Sequence, residues 1–185
     1  MTTLTSAGSL SRSRSVTIFG IIGFAAAVAA ASQIAIPLPW TPVPITLQPM
    51  LVILAGLLLG PVAGASSMLL YLAAGAAGLP VFTPIGAPGI ARFFGPTGGY
   101  LIAYPVAAFA AGAIARRSTT FTTRWLAGIA GIVVIYLGGI AQLSLLSGGV
   151  VRAVQLGVTP FAALDIVKAL VAAAIAAPRA TRRGS

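Results

Sequence analysis

The chain has 185 residues, of which 58% are hydrophobic and 6% charged, and its net charge of +10 comes with a single acidic residue. Because a soluble domain carries about 25% charged residues, this composition excludes a water-facing surface over most of the chain. The absence of Cys and His excludes disulfides and thiolate or imidazole metal sites, and one acid excludes a pair of catalytic carboxylates. The sequence therefore predicts an integral membrane protein that is not an enzyme, with no metal and no cofactor.

The N-terminal part predicts a tail followed by a membrane span. Residues 1–15 are rich in Ser and Thr and contain Arg12 and Arg14, which is typical of a mobile cytosolic tail. The uncharged stretch 16–36 is long enough to cross a bilayer, which takes about 20 apolar residues. A cleaved signal peptide is the alternative interpretation, because basic residues precede the apolar stretch.

The next two segments differ sharply in composition. Residues 37–48 contain four prolines and predict a stiff loop, because proline removes a backbone donor and breaks helices. The stretch 49–78 carries no charge and is longer than one span needs. Gly60 and Pro61 near its middle indicate a break, so we predict two helices joined by a tight turn. A single kinked helix is the alternative.

Loops alternate with apolar spans along the rest of the chain. Residues 79–97 are rich in Gly, Pro and aromatic side chains, which indicates an ordered, functional loop. Further loops are predicted at 116–124 and 147–160. The predicted fold class is an all-α integral membrane protein, with a membrane domain at 16–178, six transmembrane helices at about 16–36, 49–60, 61–78, 98–115, 125–146 and 161–177, and a cytosolic tail at 179–185.

Arginine residues are distributed unevenly between the two sides of this predicted topology. With the N-terminus in the cytosol, eight arginines fall on the inside and two, Arg92 and Arg152, on the outside. This bias obeys the positive-inside rule and predicts a multi-pass protein of the cell membrane with both termini cytoplasmic. Because the basic residues lie between long apolar runs, we expect contact with membrane lipid and no nucleic-acid partner.

Asp165 and Lys168 are the strongest candidates for a ligand site. Both lie in the last apolar span, where a charge costs roughly 2.5–3.5 kcal/mol on insertion scales. Their spacing places them on one helix face. Such a pair indicates a polar site inside the bundle, and a structural ion pair that joins helices is the alternative.

The outer loops supply further candidates for the same site. Arg92 beside Phe93 could clamp a carboxylate, or lie at the membrane interface as an anchor. The glycines of GPTGGY at 95–100 allow close approach of a ligand or of another helix. Side chains that could line an apolar pocket, the aromatic ones also being typical of the interface, are Trp40, Gln48, Tyr71, Phe82 and Tyr100.

Four strings carry a resemblance to a known family. They are PVPITLQPM at 42–50, AGLPVF at 77–82, GPTGGYL at 95–101 and the D-x-x-K pair at 165–168. In their order and spacing the chain resembles the BioY family over about residues 16–177. BioY proteins are the biotin-capturing S components of energy-coupling factor (ECF) transporters.

The resemblance implies a six-helix subunit that binds biotin from the outer face. It implies partners as well: a transmembrane coupling subunit, called the T component, and ATPase subunits. The absence of a G-x-x-x-x-G-K-[ST] string fits that division of labour. A stripe of small residues in the first helix docks on the coupling subunit in S components. Here that stripe is Ala27 and Ala31, with rival registers one and two residues earlier.

The chemistry of biotin suits the candidate residues. Its ureido ring offers two N–H donors and one carbonyl, which Asp165 and Lys168 could bind from one helix face. Arg92 is then the candidate partner of the valerate carboxylate. Two other interpretations stay open: a stand-alone secondary transporter, coupled to protons through Asp165, and a membrane assembly protein without a ligand, in which the pair only joins helices.

Overall fold

Helices dominate the structure, a computed structural model that describes residues 5–177, with side chains from residue 14 onward. The predicted tail at 179–185 lies outside the described residues. Seven α-helices, one 3₁₀ helix and one β-hairpin follow one another in the described part. Their bounds are α1 Thr5–Gln33, β1 Ile36–Leu38, β2 Thr41–Ile45, α2 Gln48–Leu59, α3 Pro61–Ala76, the 3₁₀ helix Gly89–Phe94, α4 Gly98–Ala115, α5 Phe121–Ser147, α6 Val150–Gly157 and α7 Ala162–Ala176.

The first helix begins earlier than the sequence predicts. It starts at Thr5, so most of the predicted tail 1–15 is helical in the structure. No proline interrupts the chain between Thr5 and Gln33, and a serine costs a helix only a few tenths of a kcal/mol relative to alanine. The long apolar helix that follows supplies the nucleus from which these turns extend.

The predicted loop 37–48 contains a β-hairpin. Strands β1 and β2 pair antiparallel, with Ile36 opposite Ile45 and Leu38 opposite Thr41. A two-stranded sheet consists of two edge strands, and an edge strand tolerates proline where its missing N–H would point away from the partner. The prolines therefore limit the sheet to two strands without preventing it.

A second unpredicted element lies in the loop 147–160. Helix α6 fills most of it and joins α7 at a bend of 57°. Gly148 and Gly149, with φ values of 85° and 142°, make the corner between α5 and α6. Positive φ is accessible to glycine at little cost, so these two residues let the chain turn sharply. Arg152 and Gln155 lie three residues apart on one exposed face of α6, but eight residues are fewer than the roughly 11 to 18 over which a helical period is usually recognised.

Not every helix is long enough to cross a membrane alone. Arg14–Gln33 of α1, α4 and α5 are long and apolar enough, and the bent pair α6 and α7 would make a fourth span. Helices α2 and α3 are apolar but shorter, with 12 and 16 residues. Residues 49–78 thus form two helices rather than one kinked helix, and Gly60 with φ 82° separates them.

Helix α2 lies at the centre of the bundle. Its Val52, Ile53 and Ala55 are completely buried. A Cβ atom on Gly56 would lie 2.2 Å from the carbonyl oxygen of Ala108, so α2 and α4 approach as closely as backbones allow. The exterior carries many exposed apolar side chains, which suits contact with lipid. This packing leaves the N-terminal end of α2, at Gln48, facing the region where the hairpin, α4, α5 and α7 meet.

Candidate functional site

A cavity opens where the hairpin and the helices converge. The space in and immediately outside it, counted together with its open mouth, is about 640 Å³. Its wall combines aromatic and aliphatic side chains with a few buried polar groups. The polar and aromatic side chains of the wall include Thr46, Gln48, Tyr71, Phe82, Arg92, Tyr100, Tyr104, Tyr136, Phe161, Asp165 and Lys168.

Asp165 and Lys168 form an ion pair in the cavity wall. Lys168 Nζ lies 2.7 Å from Asp165 Oδ1, and both side chains are buried. Asp165 belongs to the first turn of α7, where the positive end of the helix dipole favours a negative charge. The hydroxyl of Tyr136 in α5 donates to the other oxygen, Oδ2, at 2.6 Å. Partners on both oxygens offset the cost of removing the carboxylate from water.

A second polar cluster lies at the N-terminal end of α2. Gln48 Nε2 donates to the hydroxyl of Tyr71 at 2.7 Å, and the hydroxyl of Thr46 donates to Gln48 Oε1 at 3.2 Å. Both Gln48 and Tyr71 are buried. The ring of Phe82 meets that of Tyr71 edge-on, with centroids 5.4 Å apart. A Cβ atom on Gly75 would lie 2.1 Å from the Phe82 ring, so glycine at that position allows the loop to close onto α3.

Arg92 reaches the cavity from the 3₁₀ helix. Its Nη1 and Nη2 donate to the carbonyl oxygens of Ile85 and Thr83, so the side chain also ties together the loop that precedes it. Its Nε is buried and has no hydrogen-bond partner among the described residues. Burial lowers the pKa of the guanidinium, and the nearby Tyr71 opposes that shift. Since a guanidinium has five N–H donors, the two bonds to the loop leave one unused N–H on each of Nη1 and Nη2, besides the enclosed Nε–H.

The two remaining predicted site residues, Tyr100 and Trp40, differ in their positions. Tyr100 lines the cavity and donates from its hydroxyl to the carbonyl oxygen of Gly157 at 3.0 Å. Trp40 lies at the turn between the two strands, is 64% exposed and lies outside this cavity. A side chain at the tip of a hairpin has no neighbouring strand or helix to turn it inward. The exposed ring of Trp40 suits the aromatic belt at the membrane interface better than the cavity.

The small residues of α1 differ in their exposure. Ala31 is buried and Ala27 half-buried, whereas Ala26 and Ala30 are exposed together with Gly23. Ala27 and Ala31 therefore pack toward the bundle. In an alanine-rich helix every register contains small residues, so the sequence alone could not identify the outward face.

Two tyrosines of the site were not predicted. Tyr104 lies one turn after Tyr100 on the same face of α4, and Tyr136 lies in the middle of an uncharged span. A tyrosine within an apolar span is a signal that the sequence does contain, because a hydroxyl at membrane depth needs an internal partner. What the sequence could not supply was the rotation of α5 that turns Tyr136 toward α7.

Comparisons with known proteins agree with this architecture. The BioY family model matches residues 3–184. A probable biotin transporter BioY of Pyrococcus horikoshii is 46% identical over 153 residues, covering 83% of this chain and 89% of the relative. The biotin transporter BioY of Rhodobacter capsulatus is 37% identical over 186 residues, covering 93% of this chain and 96% of the relative. These relatives are transporters rather than enzymes.

The fold is also similar to that of a solved protein. The crystal structure of the S-component for biotin from an ECF-type ABC transporter superposes with a TM-score of 0.82 and 28% sequence identity. The match covers 89% of this chain and 90% of that chain. The resemblance predicted from the four sequence strings is thereby confirmed, and the chain belongs to the BioY family.

Proposed function

We propose that this chain captures biotin at the outer face of the cell membrane, as the substrate-binding subunit of an ECF-type transporter. The observation that carries the proposal is the buried ion pair of Asp165 and Lys168 in the wall of an open cavity that is also lined by aromatic side chains. A pair whose purpose was only to join helices would not need to border an open cavity. The family and the biotin S-component fold support the same conclusion.

The hydrogen-bonding capacity of the pair matches a cyclic urea. Each oxygen of Asp165 has one protein partner and keeps a second lone pair, so the carboxylate can accept from two N–H groups. Lys168 donates one of its three protons to Asp165 and can donate another to a carbonyl. Biotin presents this combination of two donors and one acceptor at its ureido ring.

Other parts of the wall suit the rest of the ligand. Aromatic rings of Phe82, Tyr100 and Phe161 offer apolar contact to a bicyclic ring system. The free donors of Arg92 suit the valerate carboxylate, because guanidinium binds carboxylates through paired N–H groups. Gln48 and Tyr71 complete the polar lining near the hairpin.

The proposal includes partner subunits and an orientation. The sequence carries no P-loop string, so we assign ATP hydrolysis to separate ATPase subunits that act through a transmembrane coupling subunit. The face of α1 open to that subunit is the stripe Gly23, Ala26 and Ala30. The arginine distribution supports cytoplasmic termini and an outward-facing hairpin, with lipid around the bundle and no nucleic-acid partner.

Isothermal titration of the purified protein with biotin and a panel of other vitamins tests this function. We expect tight binding of biotin alone, and a loss of affinity of at least about 30-fold in Asp165→Asn and in Lys168→Ala, because each leaves a buried charge unpaired. Arg152→Gln, which removes an exposed charge on α6, is the control and should bind as wild type does. Undiminished affinity in both cavity variants would refute the assigned site, and absence of biotin binding by the wild type would refute the function.

A further inference from the structure

Tyr136 contacts the ligand-binding carboxylate from a different helix than the one that carries it. It belongs to α5, whereas Asp165 and Lys168 both belong to α7. Its hydroxyl donates to Asp165 Oδ2 at 2.6 Å, and Lys168 Nζ binds Oδ1 at 2.7 Å. The carboxylate is therefore held at both oxygens, once from its own helix and once from outside it.

The external contact determines how the carboxylate is oriented. An aspartate side chain rotates about the bond to its carboxyl group, and that torsion has a broad energy minimum. Lys168 is three residues away on the same helix and moves with it, so it cannot fix the carboxylate relative to the opposite wall. The Tyr136 hydroxyl can fix the carboxylate in this way, because a hydrogen bond from a hydroxyl to a charged oxygen is short and strong.

This orientation has a consequence for ligand recognition. A ligand with two parallel N–H groups, such as a cyclic urea, needs both free lone pairs of Asp165 in one plane facing the cavity. A ligand with one N–H group needs only one of them. We propose that Tyr136 is a positioning residue that sets the plane of the Asp165 carboxylate and thereby selects ligands with two N–H donors. This inference rests on the function proposed above.

The test compares the effect of Tyr136→Phe on two ligands. Phenylalanine keeps the ring and removes the hydroxyl. Titration should show affinity for biotin falling by about 10- to 100-fold, in line with the loss of a hydrogen bond to a charged group. For biotin methylated at one ureido nitrogen, which has a single N–H group, the same substitution should reduce affinity by less than about threefold. Biotin methyl ester is altered only at the valerate end and keeps both ureido N–H groups. Tyr136→Phe should therefore reduce the affinity for the ester as much as the affinity for biotin.

Controls separate positioning from a general effect on the helix. Leu137→Ala changes the next residue of α5, which is 62% exposed on the outer surface, and should leave all affinities unchanged. Thermal unfolding of Tyr136→Phe without ligand reports its stability, and binding in native membranes replaces titration if the variant does not survive purification.

The outcomes are distinguishable. Binding of biotin by Tyr136→Phe within about twofold of wild type would overturn the inference, as would equal losses for biotin and for its N-methyl derivative, because a purely structural contact affects both ligands alike. If the wild type binds no biotin, the proposed function fails instead. If the wild type binds and only the two-donor ligands lose affinity, the inference is supported.

Discussion

The hydroxyl of Ser32 at the end of α1 donates to the carbonyl oxygen of Val81 at 2.6 Å, across 49 residues of sequence. The neighbouring Gln33 donates from Nε2 to the carbonyl oxygens of Phe82 at 3.1 Å and Pro80 at 3.2 Å. The C-terminal end of α1 therefore holds three consecutive carbonyl groups of the loop that carries Phe82 into the cavity. The helix proposed to dock on the coupling subunit is thus bonded directly to the cavity wall.

Ser32→Ala should weaken ligand binding although Ser32 is not in the cavity. The substitution removes the bond to a loop carbonyl, and a freer loop must be ordered again when a ligand binds. We expect a loss of biotin affinity of about 3- to 10-fold, mainly through faster release, measured by titration and by ligand displacement kinetics. Ser67→Ala, at another buried serine whose hydroxyl bonds only within its own helix, is the matched control. An equal effect of both substitutions would contradict the assignment.

Replacing both members of the ion pair by uncharged side chains should preserve more stability than replacing one, but should abolish biotin binding. Asp165→Asn alone leaves the Lys168 ammonium buried without its charged partner, which costs about 3–5 kcal/mol. In the double variant Asp165→Asn with Lys168→Met no charge remains, and the amide oxygen introduced at position 165 can still accept from Tyr136. We expect the double variant to unfold at a higher temperature than Asp165→Asn in detergent without ligand, and to bind no biotin. A double variant no more stable than Asp165→Asn would show that the unpaired ammonium is not the cause of the instability.

Arg92→Met should reduce the affinity for biotin more than the affinity for biotin methyl ester. If the free donors of Arg92 bind the valerate carboxylate, biotin loses a charged hydrogen-bond partner while the ester has none to lose. The loss for biotin should be about 10-fold or more, and for the ester only the smaller part due to the broken bonds to the loop. Paired titrations measure the two values. Equal losses would mean that Arg92 acts only by tying Thr83 and Ile85 together.

Ala30→Trp should prevent assembly with the coupling subunit without changing biotin binding. Ala30 is exposed on α1, away from the cavity, so a large side chain there should prevent close approach of a partner helix and leave biotin affinity unchanged. Co-purification with the coupling subunit, together with cellular biotin uptake, measures the expected loss of assembly. Leu137→Trp on the exposed face of α5 is the control and should assemble normally. Normal assembly of Ala30→Trp would require docking through another surface.

The sequence indicated which residues could meet in the candidate site better than how they would be arranged. Asp165 and Lys168 could be predicted because a charge at membrane depth is costly and needs an internal partner. The contact of Tyr136 with Asp165 could not, since it depends on how α5 is rotated against α7. The outward position of Trp40 follows from a hairpin that the prolines concealed. The helical character of the chain followed from hydropathy, whereas α6 is shorter than the window over which a helical period is usually recognised.

Helix α3 faces lipid with Val62 and Leu69, which are 67% and 57% exposed, yet it has only 16 residues. At 1.5 Å per residue it is about 24 Å long, shorter than the hydrocarbon thickness of about 30 Å. Where such a helix spans the bilayer, the lipids beside it become thinner or its polar ends enter the hydrocarbon, and this hydrophobic mismatch costs a fraction of a kcal/mol per ångström. The thickness of the surrounding bilayer therefore acts on this side of the protein, and shorter acyl chains relieve that cost.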